Sequence, residues 1–218
     1  MRRHRNAGGR GEPRTDGLTD EQVEKIAGEV PPGYRALIWL LAETGMRPGE
    51  ALALRVEHVA DQKPKWGIRD SIRVVENFVE VGGMKVLGTP KTEGSVRNVP
   101  VSPRLKREQK AHFDGLYTVG WFNPELVVFP FLQSNLRSRV FKPAAERARV
   151  FDKNGRVPTV YDLRHTAISL WLMRGLSAWD VAKMVGHTDL KMIERRYGHL
   201  YESELGKKME RLSAALSS

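Results

Sequence analysis

The chain of 218 residues contains no cysteine, which excludes disulfides and thiolate metal sites. It has no apolar run long enough to cross a bilayer. Its arginine-bearing N-terminus lacks the apolar core of a secretory signal. The six histidines, His4, His58, His112, His165, His187 and His199, form no His-Glu-x-x-His pair or similar close ligand set. No Asp-x-Asp cluster has flanking glycines, and no Gly-x-x-x-x-Gly-Lys-Ser/Thr loop is present, which argues against a nucleotide-fuelled motor. No metal and no cofactor are therefore expected. A two-metal nuclease with scattered ligands stays open, but nothing points to it.

What the chain does carry is positive charge, with 36 Lys and Arg against 26 Asp and Glu and a formal net charge of +10. That excess points to a polyanionic partner, for which DNA or RNA is the usual choice. The length suits one good-sized domain or one domain with appendages. An apolar content of 40% is that of an ordinary globular protein.

Residues 1–18 hold Arg2, Arg3, Arg5, Arg10 and Arg14 among Gly8, Gly9 and Gly11, and read as a basic flexible arm or linker remnant. Thr19 followed by Gln22 is a capping-box signature for a helix to about Ala27. Pro31-Pro32-Gly33 predicts a break. The run 34–43, with Ala36, Leu37, Ile38, Leu40 and Leu41, predicts a buried helix ending at Gly45. Pro48 suits the first turn of a next helix carrying Glu50, Leu52 and Leu54. Residues 71–81, 84–87 and 96–101 read as strands, with Gly82-Gly83 in one turn and Lys91-Thr92-Glu93-Gly94 in the next. Beyond Pro103 the pattern is helical over 103–115, 134–149, 160–174, 178–185 and 189–197. In the tail, 202–218, Leu205, Met209, Leu212 and Leu216 form an apolar helical stripe. The expected fold is α+β and mainly helical, with a small antiparallel three-stranded sheet near the N-terminal half.

Three runs carry chemistry: Thr44-Gly45-Met46-Arg47-Pro48-Gly49-Glu50, Tyr161-Asp162-Leu163-Arg164-His165, and Val185-Gly186-His187 followed by Arg196-Tyr197-Gly198-His199. Arg, His and Tyr are the side chains needed to cut a phosphodiester without a metal. Arg47 and Arg164 suit the nonbridging oxygens, because a guanidinium donates two parallel bonds to phosphate and keeps its proton. Tyr197 is the candidate nucleophile. A free phenol has a pKa of about 10, so it needs a base or a strongly positive pocket at neutral pH. Arg195, Arg196, His187 and His199 are its neighbours in sequence. Lys91 could protonate the departing oxygen as general acid.

Taken in order, these runs resemble the catalytic domain of the tyrosine recombinases, the phage integrase family, over roughly residues 19–201. The resemblance makes Arg47 the first catalytic arginine, in a Gly-x-Arg-x-x-Glu pattern that includes Glu50, and Lys91 the β-hairpin lysine, in Pro-Lys-Thr followed by Arg97. It makes Arg164 the second arginine, His187 the later histidine and Tyr197 the nucleophile, with Asp162, His165 and His199 in support. Tyr161 stands where the family usually has histidine, and a phenol is a poor proton shuttle at pH 7. The His187 to Tyr197 spacing is one residue longer than is commonest, which leaves Tyr201 as the outside candidate.

The resemblance implies a site-specific DNA recombinase that cuts and rejoins through a 3′-phosphotyrosine, with neither metal nor ATP. A type IB topoisomerase or a catalytically weak DNA-binding module are the alternatives. It further implies double-stranded DNA with a specific core site as partner, a homo-tetramer on DNA from a free monomer, and accessory DNA-bending proteins. No membrane is implied, and the location would be the bacterial host cytoplasm with its DNA. The N-terminal DNA-clamping domain usual in the family has no counterpart before Thr19, so the chain reads as a catalytic fragment. The tail helix would dock on a neighbouring protomer or pack on its own domain.

Overall fold

The computed structural model describes residues 17–61, 67–88, 96–118, 123, 125–152, 154–186 and 190–216. Lys91, His187 and most of the basic arm lie outside these residues, as do the side chains of Tyr201, Leu205, Leu212 and Leu216.

Helix α1 (Asp20–Glu29) opens with the expected capping box: Thr19 Oγ1 accepts from the Gln22 amide at 3.2 Å, and Gln22 Oε1 accepts from the Thr19 amide at 2.9 Å. Leu18 belongs to the domain rather than to the arm, because it is buried and its amide donates to Thr166 Oγ1 at 2.7 Å. The break at the prolines is shorter than expected. Pro32 and Gly33 are already in α2 (Pro32–Thr44), since proline fits the first turn, where no amide is needed. Helix α2 is apolar around most of its surface, and Ala36 to Ala42 are all buried. Such a helix belongs at the centre of a domain, and α2 does pack on α1, α5 (Pro103–Thr118) and α8 (Val160–Met173). Gly45 closes it in the left-handed conformation, with its amide on Leu41 O at 3.2 Å. Helix α3 (Pro48–Leu52) is only five residues long, so Leu54 falls beyond it but stays buried. Helix α4 (Val56–Val59) follows.

The expected three-stranded sheet is instead three two-stranded antiparallel ladders among the described residues. Strand β1 (Ala60–Asp61) pairs with β2 (Gly67–Ile68), β3 (Ser71–Val74) with β6 (Arg97–Pro100), and β4 (Asn77–Val81) with β5 (Met84–Gly88). The run 71–81 is bent between β3 and β4. Glu76, at the bend, is held by a two-bond contact from Arg55 at 2.9 and 3.0 Å. Strand β6 therefore pairs with one half of the run and β5 with the other. Across β3–β6, Ile72, Val74 and Val99 face the core, and Arg97 is buried opposite Val74.

The segment expected as one helix over 134–149 is α6 (Gln133–Asn135), a π-helical stretch (Leu136–Phe141) and α7 (Lys142–Arg147). Pro143 explains the widening, since its ring cannot donate and crowds the carbonyl four residues back. Helix α8 is capped by Asp162, whose Oδ2 accepts from the Thr159 amide at 2.6 Å and the Thr159 hydroxyl at 2.8 Å. Helix α9 (Ala178–Val185) ends at Gly186. The two expected C-terminal helices are one, α10 (Lys191–Leu216). Its first part packs on α8 and α9 around a small core of Ile168, Leu172, Val181, Val185, Ile193, Tyr197 and Leu200. The larger core lies around α2. No helix among the described residues is long and apolar enough to cross a membrane, and no three acidic or histidine side chains there group to hold a metal ion.

Candidate active site

The site forms where the α2–α3 corner and the end of α9 meet the first turns of α8. Arg164 projects from α8 into this seam and is 4% exposed. It donates to Gly45 O, and its Nη2 donates to Val185 O at 2.9 Å. Both acceptors are carbonyls at helix C-termini, where the helix dipole places negative charge. Two helix ends thus fix the guanidinium. Burial, and then the nearby positive charges of Arg47 and Arg97, push its pKa down to about 10. It still keeps its proton at neutral pH.

Arg47 caps α3 and remains partly open to solvent. Its amide donates to Glu50 Oε2 at 2.8 Å and its Nη1 to Glu50 Oε1 at 3.0 Å. Glu50 is 4% exposed. Burial works to raise its carboxyl pKa, but hydrogen bonds and charge from Arg97, with Arg47 behind, outweigh that and hold it below the ordinary carboxylate range.

Arg97, read in the sequence only as part of the pattern after Lys91, is built into the same corner. It binds both oxygens of Glu50, at 3.2 Å through Nη1 and 2.8 Å through Nη2, while its Nε donates to Met184 O at 2.7 Å. A Cβ on Gly186 would lie 2.9 Å from Arg97 Nη1, and Gly186 sits at φ +67°, so only glycine fits there. One buried ion pair therefore ties the Arg47 corner to the strand that follows Lys91 and to the helix end that precedes His187. A signal existed. Arg97 shares the inward face of its strand with Val99, and an inward charge requires a partner.

Arg47 and Tyr161 line an open cleft of about 490 Å³ together with Asn77, Gln133, Ser134 and Arg137. Tyr161 is 47% exposed in it. One turn further along α8, His165 Nδ1 is hydrogen-bonded to the hydroxyl of Tyr197. The Tyr197 ring is 2% exposed and belongs to the smaller core, with the Arg196 guanidinium 5.9 Å from its centroid.

The structure thus brings Arg47 and Tyr161 to one cleft, with Glu50 and Arg164 buried beside Arg47, and pairs His165 of α8 with Tyr197 of α10. Asp162 serves as a helix cap, and His199 lies on the exposed side of α10. Three guanidiniums around one carboxylate leave the site positive, as binding of an anion such as a phosphodiester requires.

The phage integrase family model matches residues 17–204. The chain belongs to the phage integrase family. The integrase of Staphylococcus phage L54a is 32% identical over 180 residues, 78% of this chain and 50% of its own length. That of Mycobacterium phage L5 is 28% identical over 179 residues, 81% of this chain and 46% of its own. The chain spans about half the length of the curated relatives it matches. Among solved structures, the catalytic domain of bacteriophage HP1 integrase is similar with a TM-score of 0.55 at 20% identity, over 89% of this chain and 93% of that one. The Tn1549 transposon integrase in complex with transposon right end DNA gives a TM-score of 0.68 at 19% identity, over 92% of this chain and 67% of that one. At such identities the likeness shows the fold, a mainly helical tyrosine-recombinase catalytic domain.

Proposed function

We propose that this chain is the catalytic part of a site-specific DNA recombinase of the integrase type. The observation that carries the reading is Arg164, buried between two helix C-termini beside Arg47, on the same helix that holds the Tyr197 hydroxyl through His165. Arg47 and Arg164 take the nonbridging oxygens of the scissile phosphate, and Tyr161 donates a further hydrogen bond to them. Tyr197 Oη attacks phosphorus in line, the bond to the 5′-oxygen breaks, and a 3′-phosphotyrosine forms. Its bond energy is kept, so a 5′-hydroxyl from another strand reverses the step without ATP or metal. Lys91 is assigned the proton for the leaving oxygen and His187 a further bond to the phosphate.

The net positive charge and the DNA in the Tn1549 integrase structure support duplex DNA as the partner. Most affinity would come from phosphate contacts and fall steeply with salt. In this reading a free monomer assembles as a tetramer on a core site, with DNA-bending proteins in attendance, and the α10 tail docks on a neighbouring protomer.

The test is covalent capture. The protein is incubated with a nicked duplex library carrying a randomised core, and denaturation-resistant protein–DNA adducts are collected. Adducts with wild type and none with Tyr197→Phe are expected. Adducts that persist in Tyr197→Phe would overturn the nucleophile. Relaxation of plasmid DNA lacking any selected core would turn the reading to a type IB topoisomerase.

A further inference from the structure

We infer that His165 is the general base that deprotonates Tyr197, a role that rests on the recombinase reading and adds a proton path to it. Cleavage through a tyrosine has to remove the phenolic proton as the bond to phosphorus forms. Only about one free phenol in a thousand is ionised at neutral pH. The cleft's own candidate for that proton, Tyr161, is itself a phenol and a poor carrier at that pH.

The geometry points one helical turn further on. Tyr161 and His165 are four residues apart, so they share a face of α8. His165 Nδ1 contacts the Tyr197 hydroxyl, the atom that reacts. For the phenol to donate there, Nδ1 must present its lone pair, which leaves the ring proton on Nε2. The Tyr197 ring is packed into the smaller core, so its hydroxyl is held toward the imidazole. The other described histidines are placed elsewhere. His58 Nδ1 accepts from the Arg55 amide at 3.2 Å, His112 Nε2 lies 3.2 Å from Val128 O, and His199 is on the exposed side of α10.

The step balances. The proton of Tyr197 Oη passes to His165 Nδ1, Oη forms the bond to phosphorus, and the 5′-oxygen leaves with the bonding pair and takes a proton from the general acid assigned to Lys91.

The experiment uses the full chain and the captured core duplex in a single-turnover adduct assay. His165→Gln keeps a hydrogen-bonding side chain but cannot shuttle a proton, and its adduct rate should fall by about 10²–10⁴-fold, the usual worth of a general base. Its DNA affinity and melting temperature should hold. Added imidazole should restore part of the rate to His165→Ala and none to Tyr197→Phe. A fluorinated tyrosine at position 197, whose phenol ionises more readily, should narrow the gap between wild type and His165→Gln. A His165→Gln rate equal to or above wild type would show that the contact is only a latch. A slow variant that neither imidazole nor the fluorinated phenol rescues would show a structural role. Either result leaves the recombinase reading standing, whereas a wild-type protein that forms no adduct on any core would remove the reading itself.

Discussion

Glu50→Gln tests the buried ion pair on which the site's geometry depends. Glu50 accepts four bonds, from the Arg47 amide, Arg47 Nη1, Arg97 Nη1 and Arg97 Nη2. The Glu50 and Arg97 side chains are 5% and 6% exposed. A glutamine keeps one acceptor oxygen and turns an amide donor toward guanidinium donors. Arg97 then loses the carboxylate it is buried against, and Arg164 loses a negative charge that offsets its positive neighbours. Breaking a buried pair from one side costs about 3–5 kcal/mol. A chain of this size shifts by about 2–4 °C in Tm per kcal/mol, so a fall on the order of 10 °C is expected in calorimetry. The pH dependence gives a second reading. Because the folded carboxyl sits below its ordinary value, the unfolded chain binds the proton more readily. The stabilisation is complete above the ordinary carboxylate range and is lost as pH falls through the folded value. Wild type should therefore lose stability in acid faster than Glu50→Gln, while the exposed acids contribute equally to both. Joint replacement, Glu50→Leu with Arg97→Met, should recover part of the loss in stability without restoring the cleft. A Glu50→Gln protein within about 1 kcal/mol of wild type, below that range, or one with the same acid slope, would refute the reasoning.

Two further predictions concern the cleft. Arg164→Lys keeps the charge but not the fork that reaches both Gly45 O and Val185 O, so single-turnover adduct formation should fall about 10²–10³-fold; an unchanged rate would remove Arg164 from the phosphate. Tyr161→His replaces the exposed phenol of the cleft with a better proton carrier, and cleavage should hold or improve in the same assay. A large loss would mean that the phenol has a role of its own.

Local chemistry was the most legible part of the sequence. The Thr19–Gln22 box, the glycine closing α2 and the proline opening α3 act over a few residues, and each formed where its side chains required. The strands were legible from their alternation, but how they group was not, because the bend at Glu76 depends on Arg55, far upstream. The π-helical stretch before Pro143 escaped in the same way: the apolar period continues through it and only the backbone widens. Within the site, Arg47, Glu50, Arg164 and Tyr197 could be named from their motifs and the family resemblance, but what each touches could not be read from the sequence. The sequence pointed to His187 and His199 as neighbours of Tyr197, whereas among the described residues the imidazole hydrogen-bonded to its hydroxyl is His165, distant in sequence and adjacent through the packing of α10 on α8. The role of Arg97 was hidden for a similar reason, since Glu50 and Met184, which it binds, come from two other segments of the chain.

The most direct measurement is to digest the captured protein–DNA adduct and locate the modified residue by mass spectrometry. A nucleotide joined through its 3′-phosphate to Tyr197 is the expected result. Attachment to Tyr201, to any other residue, or through a 5′-phosphate would contradict it.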